Sequence, residues 1–356
     1  MNFDLTEDRR MLADTLTRYL SDNYAIKARN EIAYAAPFHD PAGWRRMAEL
    51  GIVGGLVPEE AGGLGGAGFD IVVVFEVLGR HLCPEPFLGA LLASRLLSAA
   101  GEDQSALIDG SCRYAVGLDE IDAPYGLEGM RAGAWRDGDG YRVSGRKCAA
   151  YGANDADVLL VAALLEGKPA LFRVENAATR VVGYGMIDGG GAAEILLDES
   201  PATLLIADAG EAVDGAVQAG QLALCAEAVG AMGAAYDLLL DYLGTRRQFG
   251  TTIGSFQAIQ HRTVDLLTEI EQARSITIAA AAELDGPRGA LTVAMAKNLI
   301  GRAARLVAEE TIQLQGGIAM TWEYAAAHYA KRLVMLDHQL GDTDHCLGVV
   351  MDTYAA

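Results

Sequence analysis

Apolar residues recur at helical spacing through the first third of the chain. Met11, Leu12, Leu16 and Leu20 follow Asp4-Leu5-Thr6-Glu7, whose side-chain oxygens and first-turn acid predict a helix start. Trp44, Met47, Leu50 and Val53 form a second amphipathic element, interrupted by Gly51. Residues 69–82 and 87–99 are apolar over most of their circumference, which predicts buried helices. From about Cys112 the period shortens. Trp135-Arg136, then Asp137-Gly138-Asp139-Gly140, then Tyr141-Arg142-Val143 predict a hairpin. Short runs at 157–162, 170–174, 180–182 and 193–197 predict further strands. Near Gly210 the helical texture returns, with long helices expected at 217–243, 256–284 and 291–315 and a shorter one at 325–335. Within 291–315, Val293, Ala296, Ile300, Ala303, Val307 and Leu314 make the inward stripe. Lys297, Arg302, Arg305, Glu309 and Glu310 mostly fall on the other face. The expected fold class is α+β. An N-terminal α-helical domain covers 1–111, a small antiparallel β-barrel or sandwich 112–207, and a C-terminal four-helix bundle 208–356.

Charge narrows the functional classes. Against 28 Lys+Arg stand 48 Asp+Glu, a formal net charge of −20 over 356 residues. Long-range repulsion then opposes wrapping nucleic acid or lying on anionic lipid, although a local basic pocket is compatible with it. No stretch approaches the roughly 18 apolar residues of a spanning helix, and no apolar leader follows Met1. The expectation is a cytoplasmic protein without a membrane or nucleic-acid partner. Cys83, Cys112, Cys148, Cys225 and Cys346 are scattered and form no C-x-x-C pair, so neither a disulfide framework nor a metal cluster is expected.

Several segments could carry chemistry. In Arg246-Arg247-Gln248-Phe249-Gly250, two guanidiniums beside an aromatic can hold a phosphate and stack on a planar ring, or simply answer a helix dipole. Gln313-Leu314-Gln315-Gly316-Gly317 ends a helix in a double glycine, which is either a left-handed cap or backbone open to a ligand. Asp337-His338-Gln339-Leu340-Gly341-Asp342-Thr343-Asp344-His345 offers carboxylates and imidazoles for proton transfer, or a solvated helix-to-loop junction. Residues 58–68 are rich in glycine but lack a nucleotide fingerprint, and read as a structural turn or a lid over a substrate.

Taken together these segments resemble the acyl-CoA dehydrogenase family. Arg246-x-x-Phe249-Gly250-x-x-Ile253-x-x-Phe256-Gln257 is similar to the family's R-x-x-F-G-x-x-I-x-x-F-Q segment. Gln313-x-x-Gly316-Gly317-x-x-x-Thr321-x-Glu323-Tyr324 resembles its second flavin segment. Gly145-Arg146-Lys147 with Ala156-Asp157 resembles its G-x-K…A-D run, and Pro58-Glu59-Glu60-Ala61-Gly62-Gly63-Leu64-Gly65 its N-terminal loop. The resemblance implies FAD as cofactor. Arg246, Gln248, Phe249, Phe256 and Gln257 would lie on its pyrophosphate and adenosine side, and Gln313, Gly316 and Gly317 would reach the FAD of a neighbouring subunit. It also implies α,β-desaturation of an acyl-CoA thioester, by α-proton abstraction and β-hydride transfer to flavin N5, with an electron-transferring flavoprotein as acceptor.

The chain departs from the family pattern in places. Where the family's usual base, a Glu followed by Gly, should stand, ungapped counting from Gln313 places Leu340, before Gly341. The nearest upstream carboxylate is Asp337. The alternative base position on the long helix falls at Gly220. The T-E-P-x-x-G-S-D stretch is replaced by Gly117-Leu118-Asp119-Glu120-Ile121-Asp122-Ala123-Pro124, and Ala149 stands in place of an aromatic after Lys147. These departures resemble the small-subunit branch of bacterial acyl-CoA dehydrogenases, including those linked to pimeloyl-CoA and steroid breakdown, several of which pair with a larger subunit. Two readings follow: an FAD enzyme, as homo- or hetero-oligomer, with Asp337 as catalytic base, or a catalytically silent subunit that completes the FAD site of a hetero-oligomer.

Overall fold

The computed structural model describes residues 5–355. Asp4, part of the expected helix start, lies outside the described residues. Thr6 is the N-cap, its Oγ1 accepting from the Arg9 amide at 3.4 Å. The helices of the first zone are α1 (Glu7–Asn23), α2 (Ile26–Ala33), α3 (Pro41–Glu49), α4 (Gly68–Arg80), α5 (Phe87–Ala100) and α6 (Ser105–Ile108). Strands follow: β1 (Tyr114–Gly117), β2 (Gly133–Asp137), β3 (Gly140–Tyr151), β4 (Val158–Leu165), β5 (Lys168–Glu175), β6 (Arg180–Gly185) and β7 (Gly191–Ile206). The third zone holds α7 (Gly210–Thr245), a hairpin of β8 (Arg247–Gln248) and β9 (Thr251–Thr252), then α8 (Gln257–Glu283), α9 (Gly289–Gln315), α10 (Ala325–Asp337) and α11 (Thr343–Ala355). The expected α, β, α order and α+β class are those of the structure. By its contacts the chain groups into two compact units. One comprises Met1–Arg29, Gly68–Cys83 and Gln221–Ala356, the other Asn30–Ala67 and Pro84–Gly220.

The second of these units is built on the barrel. Pairing runs β4–β2–β3–β7–β5 and returns from β5 to β4, closing a ring to which β1 and β6 add. Apolar side chains such as Val143, Leu159, Val161, Phe172 and Ile195 fill it. The sheet is not wholly antiparallel as expected: β1 and β2 each pair with β4 in parallel. The chain between each pair is long enough for the crossover that parallel pairing needs. β1 escaped the sequence reading because all of its residues are buried, so no alternation marks it. The segment that replaces T-E-P-x-x-G-S-D is pinned to β3 by a buried ion pair, Lys147 Nζ to Glu120 Oε1 at 2.7 Å. Lys147 also donates to the Leu118 carbonyl, and Glu120 accepts from the Arg131 and Ala132 amides. Burial alone would raise the Glu120 pKa, but these donors hold it below the usual carboxylate value. Residues 58–68 form a tight turn. Leu64 N donates to Gly54 O, Gly65 N to Val57 O and Gly66 N to Gly55 O, and a Cβ on Gly63 would lie 2.0 Å from Val57 O.

In the other unit, α9 is the hub, packed against α8, α10 and α11. Val293, Ala296, Ile300, Ala303, Val307 and Leu314 are buried as the stripe predicts. Lys297, expected on the polar face, is instead 1% exposed. α11 lies beyond the elements the sequence pattern predicts, because Cys346 is its one buried residue among the described residues and no stripe marks it. α4 and α7 meet backbone to backbone: a Cβ on Gly230 would sit 1.9 Å from Glu76 O, and one on Gly79 2.0 Å from Glu227 O. Nearby, the Arg332 guanidinium on α10 forks onto both oxygens of Glu227, at 2.6 and 2.7 Å. One expectation is corrected here. An 18-residue window of α7 is long and apolar enough to cross a membrane, but 78% of it is buried inside the protein. Ala and Gly content lets α7 serve as a core helix, and that same content makes it pass a membrane test by composition.

Candidate functional site

The Arg246-to-Gln257 segment begins where α7 stops. The Arg246 amide still donates to Tyr242 O, and the Arg246 carbonyl then accepts from Ile253 N at 2.9 Å. Between these anchors β8 and β9 pair Arg247 with Thr252 and Gln248 with Thr251. Phe249 and Gly250 form the two-residue tip, with φ of 53° and 84°. Left-handed backbone at both tip positions matches the strand twist, but a phenylalanine adopts it at a cost of about 1 kcal/mol. Its ring is 92% exposed, so packing within this chain does not explain the strain. Phe256, the N-cap of α8, meets it edge-on at 6.2 Å. Arg246, Arg247, Gln248 and Gln257 are exposed, and neither arginine has a carboxylate partner among the described residues. The arrangement offers two unneutralised guanidiniums and an upright aromatic, suited to a phosphate-bearing planar ligand.

At the end of α9, Gln313, Gly316 and Gly317 are exposed. A Cβ added at either glycine would meet nothing within 4 Å. Gly316 is the C-cap of α9 with φ 72° and ψ −149°, a positive-φ backbone that favours glycine but not the left-handed helical cap expected. The neighbouring Gln315 is 4% exposed, and among the described residues neither its Nε2 nor its Oε1 has a hydrogen-bond partner. A buried amide left in this way is a costly arrangement unless something completes it. Tyr324, half-buried, has its phenol pKa raised by burial and by the nearby Tyr242 and Asp241, which relates this segment to the end of α7. No hydrogen bond or ring contact among the described residues joins Gln313, Gly316, Gly317 or Asp337 to the β8–β9 hairpin.

Asp337 is the last residue of α10 and half-buried. Its Oδ1 accepts from the Thr343 amide at 3.1 Å and from Thr343 Oγ1 at 2.8 Å. Oδ2 has no hydrogen-bond partner among the described residues. Leu340 is 5% exposed in left-handed backbone, φ 55°, and its carbonyl accepts from Gln221 Nε2 at 2.7 Å. Lys297 Nζ donates to Leu336 O, Asp337 O and Gly341 O at 2.9, 2.8 and 2.8 Å. Burial lowers the Lys297 pKa, and Cys225, Cys346, Asp337 and Asp342 oppose that fall. Burial pushes the Cys225 and Cys346 thiols up to about 12 and about 11, which keeps them neutral. Sequence reasoning missed both Lys297 and Gln221; Lys297 falls four residues after Val293 and three before Ile300, at the edge of the buried stripe, but its charge set it with the polar face.

Residues 6–106 match the acyl-CoA dehydrogenase N-terminal domain, and residues 210–349 the acyl-CoA dehydrogenase C-terminal domain. Acyl-CoA dehydrogenase IpdE2 of Mycobacterium tuberculosis is 31% identical over 329 residues, 92% of this chain and 91% of its own. The chain belongs to the acyl-CoA dehydrogenase family. Among solved structures, the Tcur3481-Tcur3483 steroid ACAD, as its G363A variant, superposes with a TM-score of 0.90 at 27% identity, covering 98% of each chain. The ChsE4-ChsE5 complex from Mycobacterium tuberculosis gives a TM-score of 0.91 at 22% identity, covering 100% of this chain and 99% of that one. At that identity the likeness shows the acyl-CoA dehydrogenase fold alone.

Proposed function

We propose that this acyl-CoA dehydrogenase binds FAD and desaturates an acyl-CoA thioester between its α and β carbons. The observation that carries the reading is the β8–β9 hairpin: strained, exposed Phe249 beside two arginines without carboxylate partners. Residues 208–356 would be the FAD-binding and oligomerisation domain, beside an α-helical domain over 1–111 and a β domain over 112–207. Arg246, Gln248, Phe249, Phe256 and Gln257 would hold the pyrophosphate and adenosine side of FAD. Gln313, Gly316 and Gly317, with open space in front of them, serve the FAD of a neighbouring protomer, where Gln315 would also find partners. When bound, FAD supplies the acceptor for the β-hydride, and an electron-transferring flavoprotein would then take up the electrons.

The chain's own task is the α-proton. A thioester α-proton is weakly acidic, so a carboxylate must be held close and partly desolvated. Asp337 meets this in part: Thr343 anchors Oδ1, and Oδ2 remains for the proton. A second reading is favoured by the same contacts. Asp337 ties the turn 337–343 together, and Leu340, at the counted base position, cannot take a proton. In that reading the chain is a silent subunit that completes the FAD site of a larger partner. The two-component names of the Tcur3481-Tcur3483 and ChsE4-ChsE5 structures are in keeping with such pairing, and the former with a steroid acyl-CoA as substrate.

Purified chain, alone and with a candidate partner subunit, decides between them by visible spectroscopy. Flavin bands bleached anaerobically by an acyl-CoA support the enzyme. Flavin gained only with the partner supports the silent subunit, and no flavin in either state overturns both. Asp337→Asn keeps the acceptor for Thr343 and is expected to retain flavin and lose bleaching; unchanged bleaching would remove Asp337 as the base.

A further inference from the structure

The turn between α10 and α11 is held from outside by side chains of two other helices. Lys297 on α9 gives all three of its ammonium protons to the carbonyls of Leu336, Asp337 and Gly341. Leu336 and Asp337 lie in the last turn of α10, where carbonyls have no partner within the helix and the dipole end is negative. Gly341 lies across the turn. One ammonium therefore caps a helix and ties the far side of the turn to that cap. Gln221 on α7 takes the Leu340 carbonyl at 2.7 Å, and Asn298 on α9 the Thr343 carbonyl at 2.9 Å. Asp337 closes the loop on itself through Thr343. No water can replace Lys297 without a change of shape, because its side chain is 1% exposed.

A lysine is a costly way to end a helix. A buried ammonium is retained when it is fully hydrogen-bonded, and losing it would leave buried acceptors unpaired. What it offers over a glycine cap is connection: it fixes 336, 337 and 341 relative to α9. Asp337 and Leu340 both belong to the segment so fixed.

We propose that Lys297 is a positioning residue for the active-site turn, holding residues 337–343 in one conformation through its three carbonyl contacts. Its effect on turnover rests on the reading of this turn as the wall or proton acceptor of the acyl-CoA site. Its effect on the turn does not. The ammonium touches backbone, so its role is met by any cation with N–H donors that fits the vacated space.

The test uses the full chain with its flavin and, where flavin retention needs it, its partner subunit. In Lys297→Ala, amide hydrogen exchange across 338–343 is expected to rise roughly 10- to 100-fold, as for the loss of a charged hydrogen bond, with central α7 and α8 unchanged. Propylammonium, which replaces the missing part of the side chain, is expected to restore slow exchange. Tetramethylammonium at equal ionic strength, lacking N–H donors, is not. Anaerobic bleaching by acyl-CoA is expected to slow about tenfold or more at unchanged flavin content, through kcat rather than KM, and to recover with propylammonium. Unchanged exchange at 338–343, or equal effects of the two cations, overturns the proposal. Faster exchange with unaltered bleaching leaves a structural clamp and overturns the positioning role. Should Lys297→Ala fold only in propylammonium, the proposal is supported; failure to fold even there overturns it. A chain without flavin in any state would sink the proposed function while the exchange result still stands or falls by itself. Gln221→Leu, removing one strut, is expected to loosen the same segment to a smaller degree.

Discussion

The β8–β9 hairpin and the α10–α11 turn are two short connections in the same unit, built in opposite ways. The hairpin holds its shape by local pairing, carries a left-handed phenylalanine at its tip and presents unpartnered cations outward. The turn also carries a left-handed residue, Leu340, yet inward: Lys297, Gln221 and Asn298 hold its carbonyls. Packing within the chain does not account for the left-handed backbone of the first, whereas the second is met by the contacts around it. The first leaves donors exposed to solvent, whereas the second spends its carbonyls on neighbouring helices.

Substitutions can break or sharpen this contrast. Of the four substitutions that follow, Gly301→Ala on α9 is expected to have the largest stability effect. Its Cβ would lie 2.1 Å from Asp337 Oδ1 and 2.3 Å from Thr343 Oγ1. Overpacking of this kind costs about 1–3 kcal/mol, and a thermal unfolding midpoint equal to the parent's would show the clasp to be loose. A smaller, pH-dependent effect is expected at His39, which belongs to the other unit. It is buried between Glu85, 3.3 Å from Nδ1, and Asp155, 3.1 Å from Nε2. Burial lowers its pKa, but the two carboxylates outweigh this and raise it above 6.5. A raised pKa means the stabilisation is fully present below the unfolded value and fades as pH climbs through the folded one. The Tm advantage over His39→Gln should therefore shrink as pH rises above the ordinary histidine value of about 6.5, with no parallel change between wild type and Arg246→Ala. Arg246→Ala itself should shift stability by less than about 0.5 kcal/mol yet lose flavin on dialysis. Full flavin retention would contradict its phosphate role. The smallest stability effect is expected for Gly317→Ala, again within about 0.5 kcal/mol, because its Cβ meets nothing. If it leaves flavin content and oligomeric mass untouched as well, the open diglycine is an ordinary helix end.

Much of the architecture was legible because burial leaves a period. The stripe Val293 to Leu314 sets α9, and the turn residues around Gly138 set the β2–β3 hairpin. The hairpin at Phe249 and the diglycine were legible as motifs, since each is written in consecutive residues. Lys297 was not, because its partners are carbonyl groups more than 38 positions away and carbonyls carry no side-chain identity. β1 and α11 went unread for opposite reasons, one buried throughout and the other exposed almost throughout, so neither shows contrast between faces. The parallel pairings of β4 depend on connections whose path no local pattern states.

The crossing of α4 and α7 has a consequence for inheritance. At Gly79 and Gly230 the facing main chains stand where even a methyl group would intrude. A single replacement at either of these two positions must be answered by a shift of a whole rod. Divergence should therefore leave the pair untouched, or exchange it only in lineages whose rods have moved apart.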